Sequence, residues 1–391
     1  MSLPALSESE NALLEAMREH LRLAIDQAGG ALAFDRFMEQ ALYAPGLGYY
    51  VNGRRRFGES GDFITAPEVS PLFGACVANY CASWLERLDQ GDVLEFGAGS
   101  GRLACDLLHR LDVLDRLPGR YFILELSPDL QAAQRERLER ELPHLADRVS
   151  WLQTLPGAGF RGVMLGNELL DAMPVHRFRW ASDGAWQELY VRQDGPGFAD
   201  LWREPTSAGL EAALQATWAG LPPPAAGYSS EINQRLGPWL ASVAGRLDAG
   251  CVLLVDYGYT RSEYYHPERR QGTLLCHYRH RAHADPYLLP GIQDMTANVD
   301  FSAVGSAAVA AGLEVIGYTT QAHFLIDNGL DALMARSDLA DLKAHLALTQ
   351  GVKKLTLPTE MGERFKVIAL TRGIEAPPRQ GFTTRNFTDR L

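Results

Sequence analysis

Cysteine is scarce in this chain and odd in number. The five residues, Cys76, Cys81, Cys105, Cys251 and Cys276, are scattered through apolar segments. That excludes the paired framework of a small secreted disulfide domain and reads as reduced, mostly buried thiols. Positive charge is also lacking: 37 Lys and Arg face 48 Asp and Glu, a formal net charge of -11. Phosphate binding draws most of its affinity from clustered cations, so neither a nucleic acid nor an anionic membrane is expected as a partner, whereas a basic protein or peptide is compatible. The compact basic run Arg54-Arg55-Arg56 lies between Gly53 and Gly58 and reads as a solvated loop. No segment approaches the ~18 apolar residues of a membrane span. The first ten residues carry Glu8 and Glu10 where a basic or apolar leader would stand, so the expected location is cytoplasmic. Internal repeats and long low-complexity tracts are missing too; the sharpest break, Leu221-Pro222-Pro223-Pro224, is expected to bound an insertion.

What is present is globular material. Hydrophobic residues make up 46% of the 391, with 15 Phe, 14 Tyr and 7 Trp, enough to offset chain entropy. The length suits one large α/β domain with additions or two intimate domains. Residues 11–28 show helical periodicity with Leu13, Leu14, Met17, Leu21 and Ile25 on one face, and residues 34–42 read as a second short helix. A Gly- and Pro-rich loop spans residues 43–71, and an apolar helix follows at 72–88.

From Asp92 strands and helices alternate, the mark of a mostly parallel sheet covered on both faces. Strands are expected at residues 93–96, 121–126, 162–166, 252–256, 313–318 and 365–371, with another near 149–152. Helices are expected at 102–111, 128–141, 231–247 and 301–311. That is a doubly wound, Rossmann-like α/β domain of about seven strands. The alternation fails within 175–250, where two strand-like runs flank the hairpin signal Asp183-Gly184. The expected division is an N-terminal helical extension and covering loop (1–90), a wound domain (91–375) with substrate-binding insertions at about 175–250 and 260–300, and a tail (376–391).

Gly97, Gly99 and Gly101 follow the first wound strand and open a helix, in Glu95-Phe96-Gly97-Ala98-Gly99-Ser100-Gly101. Glycines there let the backbone turn sharply and approach a ligand without a Cβ clash. Glu125, at the end of the next strand and beside Leu126, can accept both hydroxyl hydrogens of an adenosine ribose. A dinucleotide fingerprint needs a glycine where Arg102 stands, so NAD is disfavoured. S-adenosyl-L-methionine brings a sulfonium instead of a pyrophosphate, which makes Glu95 favourable. Thr65, in the turn-rich stretch 61–71 that could close over a cofactor, and Asn167 are expected to touch it as well.

Asn167-Glu168-Leu169-Leu170-Asp171-Ala172-Met173-Pro174 follows a strand at the same sheet edge. Methyl transfer is an in-line displacement, so the protein must align the nucleophile and manage its proton. Asn167 lacks the Pro-Pro-aromatic continuation used to clamp a nucleobase amine, and carboxylates stand in its place. A guanidinium becomes nucleophilic only when closely placed carboxylates localise its charge, and Glu168 and Asp171 fit that need. The structural alternative is that Glu168 caps a helix opening at Leu169 while Asp171 is solvated. Asp256, ending another strand, is a further catalytic candidate. The histidines of Cys276-His277-Tyr278-Arg279-His280-Arg281-Ala282-His283 lie among arginines whose charge opposes a cation, so no metal is expected.

These motifs together resemble the MidA (DUF185) family of methyltransferases, which includes the mitochondrial complex I assembly-factor arginine methyltransferase. The matching stretches are YAPGLGYY (43–50), GDFITAPEVSPLFG (61–74), EFGAGSGRLA (95–104), NELLDAMP (167–174), DYGY (256–259) and QDMTANVDF (293–301), in family order over nearly the whole chain. The resemblance implies a class I methyltransferase fold, adenosylmethionine held by Gly97, Gly99, Gly101 and Glu125, and Glu168 and Asp171 facing the acceptor. For the mitochondrial members it implies symmetric dimethylation of an arginine in a complex I subunit. The expectation is therefore a protein arginine methyltransferase, with a complex I subunit as substrate and a homodimer among the open oligomeric states. The alternatives are a small-molecule methyltransferase and a cofactor-binding assembly chaperone without turnover.

Overall fold

The computed structural model describes residues 4–53, 64–336, 341–375 and 377–391. The Arg54-Arg55-Arg56 run and residues 61–63 of the turn-rich stretch lie outside the described residues. The chain separates into two compact units, each drawn from three stretches. One comprises Met1–Phe63, Asp171–Pro238 and Tyr259–Val299, and the other Ile64–Leu170, Trp239–Gly258 and Asp300–Leu391.

The second unit carries the wound sheet. The seven strands of its main path, among the described residues, are β1 (Asp92–Phe96), β2 (Tyr121–Leu124), β3 (Val149–Leu152), β4 (Phe160–Asn167), β5 (Leu247–Tyr259), β6 (Glu314–Thr320) and β7 (Phe365–Arg372), and the short strand Val299–Asp300 pairs with β5 off that path. The continuous path runs β6-β7-β5-β4-β1-β2-β3. The five strands from β5 to β3 pair in parallel, and β7 runs antiparallel to both β5 and β6. Strands buried on both faces read as apolar runs, as in β5, where Cys251 to Val255 are all buried.

The helices carry their own stop and start signals. Ser70 accepts the N–H of Leu72 and Pro71 fills the first position of Pro71–Arg87, while Ser127 and Pro128 do the same for Pro128–Glu141. Arg102–Val113 buries Leu103, Leu107, Leu108 and Leu111. Trp84, Tyr80, Tyr121 and Leu253 belong to the same core.

The first unit is mostly antiparallel. Helix Glu8–Gln27 opens with a Ser7/Glu10 capping box and buries Leu14, Met17, Leu21 and Ile25, and helix Phe34–Tyr43 follows. They pack with Leu189, Val191, Cys276 and Met295. Trp186–Asp194 pairs with Leu32–Ala33, His176–Trp180 and Gly197–Arg203, and Ser229–Ile232 extends the sheet beyond His176–Trp180. Leu275–Tyr278, Arg281–His283 and Asp294–Thr296 form a separate three-stranded sheet.

Three boundaries depart from expectation. The strand read over 121–126 stops at Leu124, so Glu125 and Leu126 lie beyond it. The stretch read as loop from 43 to 71 contains the short helix Ala66–Val69, and Pro71 begins the next helix. The helix expected over 231–247 is confined to Leu236–Ala244. Glu231 lies in a strand beside Arg177, and Leu247 opens β5. The Leu221 to Pro224 break lies inside the first unit, where Leu221 packs against an aromatic cluster of Phe178, Tyr228 and Tyr265.

Candidate active site

Register brings the carboxyl ends of the central strands level. Phe96 of β1 pairs with Leu124 of β2 on one side and Gly166 of β4 on the other, and Asn167 pairs with Val255 of β5. Strand order reverses between β1 and β4, and ligands of wound sheets bind at such a switch point.

The glycine-rich loop leaves β1 there. Gly97, Gly99 and Gly101 all have left-handed backbone, with φ of 64°, 53° and 77°, which a Cβ would penalise by about 1–2 kcal/mol. A Cβ on Gly101 would also meet Gln134 at 3.3 Å, whereas one on Gly97 would meet nothing within 4 Å. One glycine is therefore needed for packing, and the other leaves room beside the loop.

Gln134 ties the site together. Its amide nitrogen donates to the Gly99 carbonyl at 2.9 Å and to Glu125 at 3.2 Å, and its oxygen accepts the Trp151 indole N–H at 2.8 Å. The other oxygen of Glu125 accepts the Ser127 N–H at 3.0 Å. Gln134 escapes the sequence reading, although a fully buried glutamine on the face that also buries Leu138 is a detectable signal. Leu126, next in sequence, is 58% exposed despite its apolar side chain. Arg102, where a dinucleotide fold would place glycine, pairs with Asp106 one helical turn on.

Glu95 stands within β1 rather than in the loop. Its carboxylate is buried and accepts the Tyr121 hydroxyl at 2.6 Å. Burial raises its pKa to about 7, opposed by that hydrogen bond. Thr65 is half-buried and precedes Ala66–Val69. Glu68, a second residue missed by sequence, accepts the Ser100 hydroxyl from the loop and lies 3.8 Å from Arg137.

Glu168 follows β4 with φ of 52°, rare for a non-glycine residue. The strain is held by β5: the Glu168 N–H donates to the Val255 carbonyl at 2.8 Å, and Asp256 accepts the N–H groups of Leu169 and Leu170 at 3.1 and 2.8 Å. The other Asp256 oxygen accepts the Tyr257 N–H. Asn167 donates to the Glu168 carboxylate at 3.2 Å. Its own side-chain oxygen is buried without a hydrogen-bond partner among the described residues. Asp171 belongs to the first unit, where it is buried and its carbonyl accepts the Ala297 N–H at 3.0 Å.

These residues fit adenosylmethionine. There is free space at Gly97, an orphaned buried oxygen on Asn167, an exposed apolar side chain at Leu126 and a pre-oriented carboxylate at Glu125. No group of three or more His, Cys, Asp or Glu able to hold a metal occurs among the described residues.

A family model described as S-adenosyl-L-methionine-dependent methyltransferase matches residues 76–319. The chain belongs to this methyltransferase family. A Burkholderia thailandensis protein crystallised with S-adenosyl-homocysteine superposes on the methyltransferase with a TM-score of 0.95, at 42% identity and with all of both chains covered. A native crystal structure from the same organism gives 0.91. The fold is the Rossmann-like methyltransferase fold, and the cofactor is S-adenosyl-L-methionine. Among curated proteins, the mitochondrial protein arginine methyltransferase NDUFAF7 of Homo sapiens is 29% identical, covering 93% of the methyltransferase and 84% of the human protein. The Drosophila melanogaster homologue is 29% identical over 89% and 83%. These mitochondrial relatives overturn the cytoplasmic location expected from the sequence.

Proposed function

We propose that this chain methylates an arginine side chain of a protein, a subunit of respiratory complex I being the candidate substrate. The carrying observation is Glu168, kept in left-handed backbone at the end of β4 by Val255 and Asp256. Backbone strain of this kind costs on the order of 1–3 kcal/mol, persists only where the surrounding structure over-determines it, and clusters at functional sites. The names of the relatives, protein arginine methyltransferases, support the same reading.

Bound adenosylmethionine would supply an electrophilic methyl on a sulfonium, held by the loop Gly97 to Gly101, Glu125, Gln134, Leu126 and Asn167, with Glu95 and Thr65 beside them. Glu168 would localise the guanidinium charge on the far nitrogens and orient the attacking one. Asp256, whose oxygens are engaged by backbone N–H groups, would act by positioning Glu168. Asp171, carried by the first unit, is a further candidate for contact with the acceptor. The N-terminal stretch and the insertions at 175–250 and 260–300 would carry acceptor recognition.

Mass spectrometry of host proteins with and without the gene tests this. A methylarginine that disappears on deletion, and that Glu168→Gln fails to restore while binding S-adenosyl-homocysteine within threefold of wild type, is expected. Arginine methylation unchanged by deletion overturns the reading. Normal restoration by Glu168→Gln removes its mechanism.

A further inference from the structure

In the first unit, ring stacking and hydrogen bonds link Tyr43 and Tyr50 to Asp294 and to the segment that begins at Asp171, a grouping that the sequence motifs do not announce, and Thr296 lies on the Asp294 strand. Tyr43 ends helix Phe34–Tyr43 and its ring stacks on Tyr50, with centroids 5.5 Å apart and planes within 19°. The Tyr50 hydroxyl donates to both oxygens of Asp294, at 3.0 and 3.1 Å. The Tyr43 hydroxyl donates to the Ala172 carbonyl at 2.9 Å, and the neighbouring Asp171 carbonyl accepts from Ala297. The segment that begins with Asp171 is thereby tied to the strand that begins with Asp294. Both aspartates are buried, at 5% and 2% exposure.

Thr296 points to a ligand. Thr296 stands two places from Asp294 on strand Asp294–Thr296, so both side chains leave the same face. Thr296 is 4% exposed, and its hydroxyl has no hydrogen-bond partner among the described residues. Buried hydroxyls are almost always partnered, so one that is not marks a place where a further polar group is accommodated. Burial is the main cause that pushes the Tyr43 and Tyr50 hydroxyls above the ordinary tyrosine value; Asp294 and Asp171 add to it, and Arg235 opposes it at Tyr43, so the two carboxylates supply negative potential at the rings.

A guanidinium matches this set better than an ammonium or a neutral small molecule. It is planar, stacks on aromatic rings, and carries five donors in a fixed fork that carboxylates and a hydroxyl oxygen can accept. We infer that Asp294, Tyr50, Tyr43 and Thr296 form, with Asp171, a subsite within the first unit that binds an arginine side chain of the protein substrate. This rests on the arginine reading above and adds residues to it.

The test uses full-length protein, deuterated-methyl adenosylmethionine and a lysate of the gene-deleted host as acceptor, with labelled methylarginine counted after total hydrolysis. Wild type is expected to label arginine. Asp294→Asn should lower the yield at least tenfold, and Tyr50→Phe about threefold. Both should bind S-adenosyl-homocysteine within twofold of wild type, and raising the lysate concentration should recover part of the loss. Asp294→Glu should restore more than Asp294→Asn. If Asp294→Asn fails to fold, shown by lost homocysteine-product binding, Thr296→Val carries the test and should cost about threefold. Full yield from the folded variants overturns the subsite while leaving the arginine reading intact. A wild type that labels no arginine removes the reading and the subsite together.

Discussion

Tyr121 donates its hydroxyl to the buried carboxylate of Glu95 at 2.6 Å, joining neighbouring strands beneath the glycine-rich loop. The bond offsets only part of the desolvation, and the folded pKa of Glu95 stands near 7 against 4.5 for the ordinary group. A raised folded value means that the native state holds the proton more tightly. The contribution to stability is full below about 4.5 and is lost as pH rises through about 7. The difference amounts to roughly 3 kcal/mol. Urea unfolding of wild type and Glu95→Gln between pH 4 and pH 8 checks this: the variant should lack that decline, and parallel curves would refute the assignment.

Gly97 and Gly101 separate cofactor space from packing. Alanine at either position adds about 1–2 kcal/mol of backbone strain. At Gly101 the methyl also crowds Gln134, so the ligand-free melting temperature should fall further there. At Gly97 the methyl enters open space, and the expected loss is in S-adenosyl-homocysteine affinity, at least tenfold by calorimetry. An equal affinity loss with no difference in ligand-free melting would contradict the distinction.

Removing the Gln134 side chain unties Glu125 and the Gly99 carbonyl at once. Gln134→Leu keeps the volume but leaves the Trp151 N–H and the Gly99 carbonyl without this partner, at about 1–3 kcal/mol for each group left buried and unsatisfied. Calorimetry should show product affinity down about tenfold, and thermal melting should fall with it. Affinity within twofold would show that Glu125 keeps its orientation unaided.

Leu126 should behave in the opposite way. Its side chain is exposed, so Leu126→Ser should change unfolding free energy by less than about 0.5 kcal/mol. If an adenine covers it, product affinity should fall roughly tenfold, the equivalent of burying part of a leucine side chain. Unchanged affinity would place the adenine elsewhere.

Asp256→Asn replaces an acceptor oxygen by a donor nitrogen facing backbone N–H groups. Either the pair Leu169 and Leu170 or Tyr257 then loses its acceptor, for about 2 kcal/mol. Because those bonds hold the turn that carries Glu168, single-turnover methyl transfer should fall more than product affinity does. Equal losses in both would assign Asp256 to the cofactor instead.

The wound sheet was legible because its strands are apolar on both faces and its helices are capped locally. Ser127-Pro128 places the helix Pro128–Glu141, and Val149–Leu152 reads directly as a strand. The glycine loop, Glu125 and Glu168 were legible for a similar reason, since each sits next to such a strand. Glu231 was misread because its strand exists through His176–Trp180, far away in sequence, and through Arg177 beside its buried carboxylate. The strands around residues 275–283 were hidden because Arg279 and His280 both adopt positive φ in a turn without the usual Asn-Gly signal. Gln134, Glu68 and the Tyr50 to Asp294 bond depend on tertiary neighbours and leave no periodic trace.

The discontinuity of the first unit has a temporal side. Leu32 and Ala33 pair with Val191 and Tyr190, and the sheet edge Asp294–Thr296 is made later still. At roughly 5–20 residues per second on the ribosome, helix Glu8–Gln27 would wait on the order of ten seconds or more for those strands. During that interval Leu14, Met17, Leu21 and Ile25 lack their final cover, so nascent chains of this protein should depend on a holdase chaperone well before any cofactor can bind.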